Sequence, residues 1–287
     1  MGIFRKQDGV SRRVFVVANF LMLLVVCFIV LLPLWNIIIT SLAQDADVQA
    51  GKYLLIPKSF TLRAYARIIR SGYIHSFYNS IGVSIFGTIF SMLITLPMAF
   101  SLAQKDLVAR KFFMGFVIVT LMFDAGMIPL YVVVKSLHLI DTYAALVLPI
   151  ALSSFNLIVM KNFMTSIPES LIESARLDGA NDAKILTKIV IPVSIPIIAA
   201  ITLFYFVMYW NRYFDVIMFI NDTKKQTIQV LLRILIFEPD SSVSGGEGVY
   251  NNSKMAVMMM GMLPVLVLYP FIQKYFVSGL MLGSIKG

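Results

Sequence analysis

Hydrophobic residues along this chain fall into six long runs separated by more polar, charged segments. The runs occupy roughly residues 14–38, 79–103, 112–134, 143–162, 195–220 and 255–278. A helix needs about 20 apolar residues to cross the hydrocarbon core of a bilayer, and each run reaches that length. A helix also satisfies its own backbone N–H and C=O groups, which lipid cannot do. The pattern therefore predicts an all-α, polytopic membrane protein with six transmembrane helices. An even number of crossings places both termini on the same side.

Composition sharpens this reading. The chain has 287 residues, of which 59% are hydrophobic and 14% charged, against roughly 25% charged in a soluble domain. Its mean hydropathy is +0.86. One water-soluble core could not hide so many apolar side chains. The net charge of +9 is accordingly read as orientation and contact with anionic membrane lipid, with no nucleic-acid partner. Arg5, Lys6, Arg12 and Arg13 precede the first run, Lys105, Arg110 and Lys111 follow the second, and Lys161, Arg176, Lys184 and Lys188 follow the fourth. By the positive-inside rule these flanks face the cytoplasm, so N- and C-termini are expected to be cytoplasmic. The opposite side also carries Lys52, Lys58, Arg63, Arg67 and Arg70, and later Arg212, Lys224, Lys225, Arg233 and Lys254. The assignment rests on the density of basic residues at the inner span ends.

The first run continues from Val14 to Ile39 without a small-residue cleavage site, so a crossing is expected there rather than a cleavable leader. A lone cysteine, Cys27, excludes a disulfide within the chain and reads as packing. His75 and His138 fall in or near outer loops and lack metal-ligand spacing, so no metal site is expected. The chain is expected to bind no cofactor of its own, and no Gly-x-x-x-x-Gly-Lys-[Ser/Thr] phosphate loop occurs.

Two features inside the runs carry alternatives. Small residues at 80, 82, 84, 87 and 91 form a stripe along the second run, which suits tight helix packing or the wall of a pathway. Asp124 lies inside the third run, and Trp210, Asn211, Arg212 and Asp215 close the fifth. An ionisable group at membrane depth normally faces a cavity or the bundle interior. The end of the fifth run reads as an interfacial aromatic belt with an i,i+3 Arg212–Asp215 pair, or as lining of a translocation path.

A polar, charged island lies between runs at 163–194. Pro168 and Glu169 mark a helix start. Leu171, Ile172 and Ala175 fall on one face, with Glu169, Glu173 and Arg176 toward the others. So short a helix has little stability alone and must pack on something. Gly179 is placed to end it in the left-handed conformation, with Asp178 tying down the turn, and Asn181 is placed to cap the next helix. Ile185, Leu186, Ile189 and Val190 then make a second apolar stripe, before Pro192 and Pro196 turn the chain back toward the membrane. Periodicity alone fits a solvated elbow as well as a docking surface.

At fixed spacing this island carries Glu173, Ser174, Ala175, Asp178, Gly179, Ala180, Ile189 and Pro192. The string resembles the EAA loop of inner-membrane permeases of binding-protein-dependent ABC importers, with Ser174 where alanine is usual and Ile191 where leucine is common. Gly51, Pro57, Phe60, Thr61, Leu62 and Tyr65, the tail 273–287, and Leu268 to Phe271 before it are similar to MalG-type carbohydrate permeases of the oligosaccharide and polysaccharide branch. The resemblance implies a type I (MetI-like) importer permease fold. It gives a cytoplasmic N-terminus at 1–13 and one permease domain at 14–287, with an EAA coupling loop at 163–194, outer loops at 40–78 and 221–254, and a cytoplasmic tail at 279–287.

It also implies a function and partners. The chain would be the non-catalytic permease subunit of an ATP-driven importer in the cytoplasmic membrane, passing an oligosaccharide or polysaccharide fragment. Partners would be a MalF-like permease, two ABC ATPase subunits that hold ATP and Mg, and an extracytoplasmic sugar-binding protein. Glu173 would meet an ATPase arginine, Gly179 would set the angle between the two short helices, and Gly283, Ser284, Lys286 and Gly287 of the tail would reach the ATPase unless the terminus frays. Asp124, Trp210, Asn211, Arg212 and Asp215 are the candidate substrate path. Alternatives are an ion-coupled secondary sugar transporter, which would favour several intramembrane acids, and an ABC importer permease for a non-sugar solute.

Overall fold

The computed structural model describes residues 10–49, 56, 59–237 and 251–283. Among the described residues the chain is helical, with turns and one isolated β-bridge between Ala43 and Phe60. Gly51, Pro57, Ser284, Lys286 and Gly287 lie outside them, as do parts of the expected outer loops. The helices are α1 Val10–Ser41, α2 Asp45–Gln49, α3 Arg63–Arg70, α4 Ile74–Ala103, α5 Arg110–Met122, α6 Met127–Ser136, α7 Ala144–Val147 and α8 Ser154–Thr165. They continue as α9 Glu169–Leu177, α10 Asp182–Ile185, α11 Ile191–Val193, α12 Ile195–Trp210, α13 Phe214–Phe219, α14 Ile228–Phe237 and α15 Asn251–Gly283.

Three unbroken helices, in α1, α4 and α15, are long and apolar enough to cross a membrane. Three bent pairs meet the same test together: α5 with α6 at 115°, α7 (with the 3₁₀ turn Leu148–Ile150) with α8 at 50°, and the segment Asp182–Val193 with α12 at 86°. Taking each bent pair as one crossing gives six. The third expected run is thus two helices hinged at 123–126. There Asp124 Oδ1 accepts from Gly126 N at 2.9 Å, and Gly126 adopts φ +80°, which glycine tolerates and a β-carbon would oppose.

The described chain divides into two compact units, one within residues 1–71 and 238–260, the other within 72–237 and 261–287. In the first, α1 is apolar all round and exposed along nearly all of 14–32, the character of a helix that faces lipid or another chain. The contacts seen among the described residues hold its C-terminal end. Ser41 Oγ and Tyr65 Oη share a hydrogen bond of 2.9 Å. Arg67 donates to Asp45 Oδ2 at 2.8 Å and to Ser253 Oγ at 2.7 Å. Buried Asn252 donates to Ala43 O at 3.3 Å and to Asp45.

The second unit is built on the seam between α4 and α12. Small residues on α4 leave a groove that two tyrosines of α12 fill. A β-carbon at Gly87 would stand 2.8 Å from the Tyr209 ring. Ser91 Oγ and Tyr209 Oη share a 2.8 Å hydrogen bond, and Thr95 Oγ1 and Tyr205 Oη one of 2.7 Å. Tyr205 Oη also accepts from Ser153 N at 3.1 Å, and Tyr209 Oη donates to Val147 O at 3.3 Å. Tyr205, Ser91 and Thr95 are fully buried and Tyr209 nearly so. Thus each hydroxyl ties three segments together. Of the two readings of the small-residue stripe, the geometry here is packing.

A polar knot closes one end of this unit. Asp141, at φ 62°, accepts on Oδ1 from Asn221 N at 3.1 Å and Asp222 N at 3.0 Å. Lys225 Nζ donates to Asp141 O and Oδ2 at 2.8 and 3.0 Å. Asn79, in the first turns of α4, donates to Lys224 O and Gln226 O and accepts from Tyr143 Oη. The backbone N–H of Asp222, and then the Lys225 ammonium, hold the Asp141 carboxyl below its ordinary pKa. The same carboxylate raises that of Lys225.

Two predictions follow from this packing. Gly87→Val forces the seam apart, and overpacking of this kind costs about 1–3 kcal/mol. Gly82→Val, on the same helix but with nothing within 4 Å of its would-be β-carbon, is the control. Thermal unfolding in detergent should show Gly87→Val clearly lowered and Gly82→Val near wild type; equal shifts would refute the seam. For Asp141, a depressed folded pKa means stability that is present above the unfolded value and lost as pH falls through the folded one. Wild type should therefore lose more thermal stability than Asp141→Asn as the pH drops below about 4, and parallel pH profiles would contradict the knot.

Candidate functional site

The island at 163–194 folds as two short helices around a tight reversal. Helix α9 follows Pro168 and ends at a C-cap residue, Asp178. Gly179 N donates to Arg176 O and Ala180 N to Ala175 O, both at 3.0 Å. This is the Schellman pattern, which places the residue after the cap in the left-handed region. Gly179 is there at φ +76°. Asn181 caps α10, its side-chain oxygen accepting from Lys184 N at 2.9 Å. A π-turn over Leu186–Val190 then leads through α11 to the 86° corner before α12.

Burial sorts the residues of the elbow. Ile167, Ala175, Ile185 and Val190 are buried in the core of the second unit, with Ile172, Leu186 and Ile189 packed against it. Leu171, placed on the packed face by sequence spacing, is 45% exposed instead: helix α9 turns its Ile172–Ala175 edge inward. Leu177, the last helical residue before the reversal, is 89% exposed. Asp178 fixes the turn through its backbone, since its N–H donates to Ser174 O at 3.0 Å. Its carboxylate is exposed and makes no hydrogen bond among the described residues. Glu173 is likewise exposed and unpaired there.

Charged contacts join the elbow to the loop after α4. Lys105 Nζ lies 2.5 Å from Glu169 Oε2. Arg176 reaches Gln104 at 3.3 Å and both Asp106 and Asp182 at 3.5 Å. The two inner segments expected from charge density therefore share one end of the unit. Between them opens a cavity of about 360 Å³, with Gln104, Lys105, Asp106, Glu169, Glu173 and Arg176 at its polar edge and Phe100, Met164, Ile167 and Val190 on its apolar side.

The candidate path residues do not form one cluster. Asp124 sits alone at the α5–α6 hinge, exposed, capping Gly126. Trp210 is 1% exposed. Its indole N–H donates to Gly261 O at 2.8 Å, and its ring stacks on Phe206 at 5.9 Å and meets the edge of Phe77 at 6.1 Å. It is a packing residue of the core. Asn211 caps α12 and is exposed. Arg212 and Asp215 are ion-paired, the i,i+3 contact expected from spacing. Both line a space of about 10 Å³ with Tyr209, Val216 and Thr227. Among the tail residues, Gly283 is the last described, at the end of α15.

Sequence reasoning missed the tyrosine pairing, the Arg176 contacts and the exposure of Leu177. One signal was available for the first: Ser91 and Thr95, like Tyr205 and Tyr209, are spaced i,i+4 on apolar helices, so each pair shares a face.

The arrangement of bent apolar helices is shared with a solved transporter chain. A bacterial ABC transporter involved in the import of the acidic polysaccharide alginate contains a chain that superposes with a TM-score of 0.86 at 31% identity, covering 95% of this chain and all of that one. The fold is therefore that of an ABC importer permease. Residues 78–281 match the family described as binding-protein-dependent transport system inner membrane component, and the chain belongs to that family. It is 44% identical over 285 residues to the polygalacturonan/rhamnogalacturonan transport system permease protein YtcP of Bacillus subtilis, covering 96% of this chain and 100% of the relative. It is also 27% identical over 271 residues to the arabinooligosaccharides transport system permease protein AraQ of Halalkalibacterium halodurans, covering 91% and 93%. These relatives are transport permease subunits, and the chain is a transport permease subunit of the same family.

Proposed function

We propose that this chain is the permease subunit of an ATP-driven importer that carries an oligosaccharide or polysaccharide fragment across the cytoplasmic membrane. A MalF-like permease completes the path, two ABC ATPase subunits holding ATP and Mg drive it, and an extracytoplasmic sugar-binding protein delivers the cargo. The observation that carries the reading is the elbow. It is fixed to the core by Ile185 and Val190, capped at both sides of its turn, and presents Leu177 and an unpaired Glu173 outward beside a charged cavity. An apolar knob beside a free carboxylate suits a cleft with an arginine, which binds a carboxylate bidentately.

In this reading the elbow faces the cytoplasm, and so do the termini. Glu173, Ser174, Ala175, Asp178, Gly179, Ala180 and Pro192 serve coupling, with Glu173 at the contact and Gly179 and Pro192 shaping the chain. The tail from Gly283 through Ser284, Lys286 and Gly287 adds a second ATPase contact. Asp124, Asn211, Arg212 and Asp215 border the path, and Trp210 holds that wall in place from behind.

Glu173→Ala and Leu177→Ser should leave the thermal stability of the purified subunit unchanged, because both side chains are exposed. They should reduce ATPase copurification and lower transport-coupled hydrolysis by about tenfold, the equivalent of about 1.4 kcal/mol at the contact. Wild-type coupling in both variants would remove the elbow from the mechanism.

A further inference from the structure

Helix α14, with the sequence IQVLLRILIF, carries a single charge, Arg233. Ile228, Val230, Leu231 and Leu235 are its buried side. Arg233 stands on the other, exposed side, its guanidinium 5.7 Å from the centre of the Tyr213 ring. Tyr213 is itself 42% exposed. The neighbouring Arg212 is neutralised by Asp215. Arg233 has no carboxylate within ion-pair distance among the described residues.

The position of this cation is fixed by its neighbours. Ile228 N donates to Ser80 Oγ at 2.8 Å, inside α4. Leu232, adjacent to Arg233, is the side chain that a β-carbon at Gly261 would meet at 2.9 Å, and Gly261 O is the acceptor of the Trp210 indole. Arg233 is thus adjacent to the residue that packs on Gly261 of α15. A lone charge on an apolar helix is costly unless it faces water or a polar ligand, which is why such residues mark solute pathways.

The pairing has its own chemistry. An aromatic ring offers a flat apolar face to the C–H side of a sugar. A guanidinium held over that ring keeps its planar fork free for a carboxylate, which it binds bidentately where lysine offers a single point charge. Together they match a sugar that carries a carboxylate. Uronic acids, the units of galacturonan and alginate, are such sugars.

We propose that Arg233 and Tyr213 form a subsite for a uronate residue of the cargo, which makes the transported solute an acidic oligosaccharide. This rests on the carbohydrate-importer reading above. Arg233 takes the carboxylate, Tyr213 takes the ring, and the Arg212–Asp215 pair beside them contributes no free charge.

The test uses the whole complex in proteoliposomes with its binding protein. ATP-driven uptake is followed for trigalacturonate, trimannuronate and neutral arabinotriose. Wild type should prefer a uronate. Arg233→Gln should lower uronate uptake by about tenfold, mainly through KM, and Arg233→Lys should recover much of it. Tyr213→Ala should fall between them, with basal ATP hydrolysis and subunit stoichiometry unchanged in all three. Wild-type uptake by Arg233→Gln, equal losses for acidic and neutral sugars, or release of the partner permease from the variant complex would each overturn the subsite; the last would make Arg233 an interface residue. Preference of the wild type for arabinotriose would overturn it while leaving the importer reading intact. Failure of the wild type to import any of these sugars with ATP would overturn that reading and the subsite with it.

Discussion

Two tyrosine hydroxyls inside an apolar bundle organise this permease. Tyr205 and Tyr209 lie one turn apart on α12, and each satisfies itself on α4 and again on the segment that leads into α8. Helices in lipid gain no hydrophobic drive from touching each other, so close packing and hydrogen bonds must hold them. Each such bond is worth only about 0.6 kcal/mol on average. Their value here lies in geometry: Gly87 lets the Tyr209 ring lie against the α4 backbone, and the hydroxyls then fix the register of three segments at once.

In the proposed mechanism that seam is what the elbow acts on. Chain direction places α12 directly after the 86° corner at Ser194, so any displacement of the 169–190 region enters α12 at its first turn. Ile185 and Val190 are buried in the same core as Tyr205 and Tyr209, and Arg176 and Glu169 hold the elbow to the loop that ends α4. The elbow therefore grips both partners of the seam. Stiff packing on one side of the Gly179 turn and an exposed Leu177 on the other are what a mechanical coupling point requires: a surface that a partner can hold and a base that does not yield.

What could be read from sequence followed the range of the rule used. Run length located the apolar helices, because the thickness of a bilayer is an external constraint. Gly179 and Asn181 were legible because a Schellman reversal and a helix cap are decided within a few residues. The 115° break at 123–126 was less so. Asp124 and Gly126 mark a turn, but its angle is set by what α5 and α6 pack against. Trp210 illustrates the limit: a tryptophan at the end of an apolar run fits a belt, a path or a core equally well. Only the carbonyl of Gly261, 51 residues away along the chain, decides it. Leu171 failed for the opposite reason, since helical spacing left a residue near the margin of the packed face and the tilt of α9 turned it outward.

The proposed coupling depends on which side of the membrane the elbow faces and what covers it. Cys27 is the only native cysteine, so Cys27→Ser with Leu177→Cys gives a single thiol at the tip of the elbow. Labelling with a membrane-impermeant maleimide should fail on intact cells, succeed in inverted vesicles stripped of ATPase subunits, and be blocked when those subunits are restored. Labelling from the outside of intact cells, or equal labelling with and without the ATPase, would contradict the central claim.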